Sequence, residues 1–188
     1  MENMALAYYR DEVEKELLMF KNENSTSIYR WLHYVDVYFD VIFKNMKVDY
    51  IVRALGSDET SNKSNNKPLD LMGQLLAKRF NAQYVTDILT KERTQQLKYA
   101  GNQYSRKNIL DHTYKCDLKN LDKKSTYLII DDVTTTGTTF NEIIRAINVA
   151  SNNQANMKCF ALVQTLWNKD YTSDKQEYNS KFYKKLIA

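Results

Sequence analysis

Four consecutive apolar residues, Tyr127-Leu128-Ile129-Ile130, run into two adjacent carboxylates, Asp131 and Asp132. A loop of small hydroxyl residues with one glycine follows: Val133-Thr134-Thr135-Thr136-Gly137-Thr138-Thr139. The apolar, partly β-branched run reads as a buried strand. From Phe140 onward the period changes, and Ile143, Ile144 and Ile147 join Phe140 on one face of a helix. A buried strand that turns through a short polar loop into a helix points to an α/β sheet. In open sheets of that kind ligands bind beyond the carboxyl ends of the strands. The carboxylates and threonines fall at that edge.

The turn has the chemistry of a sugar-phosphate cup. Thr139-Phe140-Asn141-Glu142 fits a capping box, with Thr139 as N-cap and Glu142 reaching back. Gly137 allows a positive φ and close backbone approach. Threonine hydroxyls, turn amides and the positive end of the helix suit a phosphate, the dipole adding about 0.3–1 kcal/mol. Asp131 and Asp132 would repel that phosphate at close range. They fit better as acceptors for the two hydroxyls of a ribose about one sugar length away. The plain alternative is a solvated Asp-Asp turn before a helix, and the attached Thr-Thr-Gly-Thr segment argues against it.

The segment Ile129–Thr139 resembles the phosphoribosyl-pyrophosphate signature of type I phosphoribosyltransferases. The resemblance implies that Asp131 and Asp132 hold the ribose hydroxyls and that Val133, Thr134, Thr135, Thr136, Gly137, Thr138 and Thr139 hold the 5′-phosphate. It implies Mg²⁺ bridging the pyrophosphate and the ribose hydroxyls, reached by Asp131 and Asp132 only through those hydroxyls or water. It also implies a nitrogenous acceptor, a nucleobase, and release of pyrophosphate. The turn after the first core strand, Arg53-Ala54-Leu55-Gly56-Ser57, lies where the family keeps its pyrophosphate loop. Arg53, Ala54 and Leu55 are therefore assigned to the pyrophosphate by position. Many members place a non-proline cis peptide in that turn, which costs about 3–4 kcal/mol where found.

A second basic segment follows the second predicted core strand. Lys91-Glu92-Arg93-Thr94-Gln95-Gln96-Leu97, then Arg106-Lys107-Asn108, looks like the ComF-like branch of the family, and the family's long closing loop lies here. Arg93 and Arg106 are thereby expected to close over the substrate and keep water from the cationic sugar. The alternative for this segment is a solvated basic loop. ComF-like proteins often carry an N-terminal zinc ribbon; here no cysteine precedes Cys116, so no zinc is expected.

Composition sets the remaining bounds. At 188 residues and 43% hydrophobic content the chain is long enough for one compact α/β unit with a real core. A net charge of +4 suits a polyanionic small molecule, and nucleic acid ranks last among partners. Two cysteines without paired spacing, an acidic start after Met1 and no apolar run of membrane length give the expectation of a reducing, cytoplasmic setting with no membrane partner. Dimers are common in the family, so a homodimer is expected from the resemblance.

Along the chain, residues 1–47 read as an N-terminal helical extension packed on a core formed by 48–188. Leu6, Tyr9, Val13, Leu17 and Phe20 recur at helical spacing, and Trp31, Val35, Tyr38 and Ile42 follow on a second helix. Val48–Leu55 reads as the first core strand and Ser57–Lys67 as a polar, mobile loop. Pro68 starts a helix carrying Leu69, Met72, Leu75 or Leu76, and Phe80. Tyr84–Leu89, Tyr127–Asp131 and Met157–Leu166 supply three more strands. The tail from Trp167 carries no clear pattern, and Trp167 is a candidate either to stack on a base or to cap the core. Strands alternating with helices predict a twisted parallel sheet covered on both faces, with the N-terminal helices or the tail as a hood. The function expected is phosphoribosyl transfer. The alternative is a non-catalytic regulator binding a phosphoribosyl ligand, or a ComF-like accessory in DNA uptake.

Overall fold

The computed structural model describes residues 4–62, 66–92, 113–167 and 170–188. Five strands form the main sheet: β1 (Met4–Tyr8), β2 (Tyr50–Arg53), β3 (Gln83–Tyr84), β6 (Thr126–Thr134) and β7 (Asn156–Gln164). Their order is β1-β7-β6-β2-β3, and every neighbouring pair is parallel. Two short strands, β4 (Leu89–Lys91) and β5 (Tyr114–Cys116), pair antiparallel beside it. The helices are α1 (Asp11–Lys21), α2 (Ser25–Val37), α3 (Phe39–Ile42), α4 (Pro68–Phe80), α5 (Thr138–Ser151) and α6 (Ser173–Ile187).

The apolar run that defines β6 is continuous because both faces of the strand are buried. Tyr127, Leu128, Ile129 and Ile130 are all fully shielded. Successive residues serve opposite cores. Leu128 and Ile130, with Ile51 and Phe160, pack against the apolar faces of α1, α2, α4 and α6. Tyr127 and Ile129, with Val52 and Ala161, pack against Phe140, Ile143 and Ile147 of α5. This is the parallel sheet covered on both faces that the sequence predicts. Among the described residues no helix is long and apolar enough to cross a membrane.

Several expectations are corrected. Leu6 and Tyr9 do not start a helix: Met4–Tyr8 is an edge strand in register with β7 (Met4 opposite Phe160, Tyr8 opposite Gln164). The apolar pentapeptide Met-Ala-Leu-Ala-Tyr finds an apolar neighbour 156 residues away, and that contact decides over local period. The boundary at residue 47 thus divides the sequence while β1 shares a sheet with β7. The strand expected over Tyr84–Leu89 breaks in two: only Gln83 and Tyr84 pair with β2, and Leu89–Lys91 leaves to pair with β5. The strand expected over Tyr127–Asp131 runs further, and β6 extends through both carboxylates to Thr134. The tail forms a helix, α6, whose Phe182 and Leu186 enter the core.

The topology fixes where a ligand can sit. From β2 the chain proceeds through α4 to β3 on one side, and from β6 through α5 to β7 on the other. β2 and β6 are neighbours, so the crevice at their carboxyl ends is the switch point of the sheet. The turn after Arg53 and the loop after Asp132 meet there.

Candidate functional site

A cleft of about 480 Å³ opens at this switch point. Its walls are the end of β6 with the threonine loop, the turn after β2, the start of α4, and the end of α1.

Asp131 and Asp132 lie within β6 near its carboxyl end, so their side chains part to opposite faces. Asp132 turns toward α1 and meets Lys21, Nζ to Oδ1 at 3.1 Å. Asp131 keeps a local bond, accepting from the Asp132 amide at 2.8 Å. Burial, and then the neighbouring Asp132 carboxylate, push the Asp131 carboxyl far above the usual range; Lys21 and Lys91 offset part of this. A ribose with hydroxyls for both carboxylates would sit across the strand end.

The loop that follows turns at Gly137, which holds φ 72° and ψ 9° and serves as N-cap of α5. The helix therefore starts at Thr138, and the expected capping box from Thr139 to Glu142 does not form. Glu142 is instead buried, accepting from the Tyr114 amide at 3.2 Å and from Arg145 at 2.8 Å. It anchors α5 to β5. The first intrahelical bond runs from the Asn141 amide to the Gly137 carbonyl at 2.9 Å, so the amides of Thr138, Thr139 and Phe140 precede the helical ladder. The Thr136 and Thr138 hydroxyls lie 2.6 Å apart. Thr135 and Thr139 line the cleft directly.

The turn after β2 departs most from expectation. Arg53 is buried, and its guanidinium is fully engaged. Nε donates to Asp70 at 2.5 Å, Nη1 and Nη2 to Glu59 at 2.7 and 2.8 Å, and Nη2 also to Asn62 at 2.9 Å. The amides expected to cradle pyrophosphate have partners as well. Ala54 donates to the Ile130 carbonyl (2.8 Å), Leu55 to the Tyr114 hydroxyl (3.1 Å) and Gly56 to Glu59 (2.6 Å). The turn has trans peptides, with no cis bond among the described residues.

Four further residues shape the site, and of these only Lys91 falls in a basic segment singled out in the sequence. Lys21 comes from α1. Glu59 and Lys67 come from the loop expected to be mobile, and they bridge at 2.8 Å. Burial would raise the Glu59 carboxyl, but Arg53, Lys67 and the Gly56 amide hold it down at about 2. Lys91, at the end of β4, is buried and donates to the carbonyls of Leu55 (3.1 Å) and Gly56 (2.5 Å). Burial lowers its pKa. The visible signal for these residues is charge in a segment facing the strand ends. Arg93 and Arg106 lie outside the described residues. Trp167 is 68% exposed, outside both cores and away from the cleft lining.

No family model matches the sequence, and no curated protein matches it. Among solved structures, the chain is similar to an adenine phosphoribosyltransferase at 17% identity, over 82% of this chain and 78% of that one, with a TM-score of 0.48. The adenine phosphoribosyltransferase of Saccharomyces cerevisiae is similar at 18% identity, over 86% and 77% of the two chains, with a TM-score of 0.45. A hypoxanthine phosphoribosyltransferase from Staphylococcus aureus is similar at 16% identity, over 73% and 62%, with a TM-score of 0.42. These are likenesses of fold, and the chemistry of this chain is read from its own residues.

Proposed function

We propose that this chain is a phosphoribosyltransferase. It binds phosphoribosyl pyrophosphate with Mg²⁺, transfers the phosphoribosyl group to a nucleobase, and releases pyrophosphate. The observation that supports this best is the convergence on one switch-point cleft of paired carboxylates, a threonine-rich helix start and an arginine-held turn. The cleft volume falls within the range of small-ligand sites, about 300–1,000 Å³.

The roles follow from charge. The 5′-phosphate takes the threonine hydroxyls and the leading amides of α5. The ribose hydroxyls donate to Asp131 and Asp132. As the bond from C1 to pyrophosphate breaks, positive charge develops on the sugar, and the acidic pair beside it, which keeps at least one negative charge, stabilises that charge without a covalent nucleophile. Asp131 and Asp132 are hard oxygen donors that fit Mg²⁺ held through ligand hydroxyls or water, and the ion when bound would neutralise the departing pyrophosphate. Arg93, Arg106 and the nucleobase acceptor enter the proposal from the sequence resemblance.

A second reading, a non-catalytic phosphoribosyl-ligand regulator, is favoured by one observation: Arg53 and the amides of its turn are already partnered within the chain. The two readings separate in one experiment. The variant Asp131→Asn with Asp132→Asn is expected to lose phosphoribosyl-pyrophosphate binding in calorimetry with Mg²⁺ while keeping its fold; retained affinity overturns the site assignment. Pyrophosphate release by the native chain with a panel of nucleobases marks an enzyme. Binding without release with any of them marks the regulator.

A further inference from the structure

Glu59 occupies an unusual position. Its two carboxylate oxygens receive Arg53 Nη1 at 2.7 Å, Arg53 Nη2 at 2.8 Å, the Gly56 amide at 2.6 Å and Lys67 Nζ at 2.8 Å. A guanidinium fork, a backbone amide and an ammonium converging on two oxygens is the donor set that also suits one edge of a phosphate. The carboxylate packs so closely that a Cβ on Gly56 would lie 3.2 Å from Glu59 Oε2. Glu59, Arg53, Gly56 and Lys67 all line the cleft that holds Asp131 and Asp132.

Arg53 does not need Glu59 as its counter-ion. Asp70, wholly buried, already pairs with Nε at 2.5 Å and is itself held by Asn62 (2.9 Å) and Tyr84 (2.6 Å). Without Glu59 the Nη edge of Arg53 and the Lys67 ammonium would share no carboxylate, Asp70 being paired to Arg53 Nε and Asp131 and Asp58 acting on the nearby Lys91. A buried guanidinium whose Nη edge has lost its carboxylate favours an anion in that place. The chain supplies one from its own loop.

We propose that Glu59 is an internal stand-in for the leaving pyrophosphate: its carboxylate fills an anion seat made by Arg53, Gly56 and Lys67, and a ligand bearing a pyrophosphate binds by displacing it. The inference rests on the phosphoribosyl reading of the cleft. A ligand with only a 5′-phosphate reaches the threonine loop with Glu59 in place. A ligand with a 1-pyrophosphate competes with the carboxylate, and its return after reaction favours pyrophosphate release. Gly56 gives the loop its close approach, and Lys91 steadies the turn by binding the Leu55 and Gly56 carbonyls on the other side.

The test is calorimetry of the full chain and of Glu59→Gln with two probes, ribose 5-phosphate and inorganic pyrophosphate, each with Mg²⁺. The variant keeps the side-chain length and removes the charge. The expected result is pyrophosphate binding about tenfold tighter in the variant, about 1.4 kcal/mol, with ribose 5-phosphate affinity unchanged. Equal or weaker pyrophosphate binding in the variant, with ribose 5-phosphate bound by both chains, overturns the role of Glu59 and leaves the phosphoribosyl reading standing. If neither chain binds ribose 5-phosphate, that reading fails and this inference with it. Should the variant not fold, a crystal structure of the native chain with pyrophosphate decides. Pyrophosphate on Arg53 and Gly56 with Glu59 turned away supports the proposal, and intact Glu59 contacts overturn it.

Discussion

Replacing Asp131 by asparagine should stabilise the ligand-free chain. Burial, and then Asp132, push the Asp131 carboxyl from an ordinary 3.8 up to about 8. At pH 7 the folded chain therefore holds a proton that the unfolded chain has shed. The gap below pH 7 is about three units, or about 4 kcal/mol at about 1.36 kcal/mol per unit. Asp132 shares this field, so about 2 kcal/mol is assigned to Asp131. Asparagine keeps an Oδ1 to accept from the Asp132 amide, as Asp131 does at 2.8 Å, and it carries no charge to bury. The sign is definite. Because the folded value lies above the unfolded one, native stability falls as pH rises from about 4 to about 8, then levels. Urea unfolding of both chains across pH 5 to 8 measures this. The variant should gain about 2 kcal/mol at pH 7, about 4–8 °C in Tm, and the gain should shrink toward pH 5. A difference that stays constant across this range, or a loss of stability, would refute the reasoning. The same substitution should weaken ligand binding, a trade of function against stability.

Gly73→Ala should destabilise the chain by about 2 kcal/mol, because its Cβ would run into the Tyr84 ring, which holds Asp70 and through it Arg53; urea unfolding reads this directly. Gly137→Ala forces a Cβ onto a backbone at φ 72° and should cost about 1–2 kcal/mol, while Gly137→Asn costs less. Calorimetry with ribose 5-phosphate should show weaker binding for the alanine variant, and unchanged affinity together with unchanged stability would count against the turn's role.

What the sequence revealed was local. β6, its loop and α5 could be read because each is specified by neighbours in sequence: an apolar run, one glycine, then isoleucines at helical spacing. Even there the helix start slipped, since Glu142 finds its partners in Tyr114 and Arg145 rather than at the cap. Edge strand β1 was hidden because its ladder partner lies 156 residues away and its apolar spacing merges with that of α1. α6 was hidden by its lysines, which surround the two aromatic and aliphatic side chains it buries. The Arg53 network was invisible for a different reason. A polar loop with Glu59 and Asn62 looks solvated until a buried guanidinium is placed beside it. Lys21 and Asp132, 111 positions apart, could only be joined by the fold.

The edge of the sheet carries a consequence for assembly. Asn179 of α6 accepts from the Tyr8 amide and donates to the Tyr8 carbonyl, each at 2.9 Å, as a neighbouring strand would. The Tyr178 hydroxyl adds a bond to the Leu6 carbonyl at 2.7 Å. During synthesis, residues 4–8 leave the ribosome long before either β7 or α6 exists, and at about 5–20 residues per second they wait many seconds for both. α1 follows directly from this strand and brings Lys21 to the cleft. The strand edge that residues 4–8 present is thus covered by β7 on one side and by α6 on the other, and both covers come from the last third of the sequence.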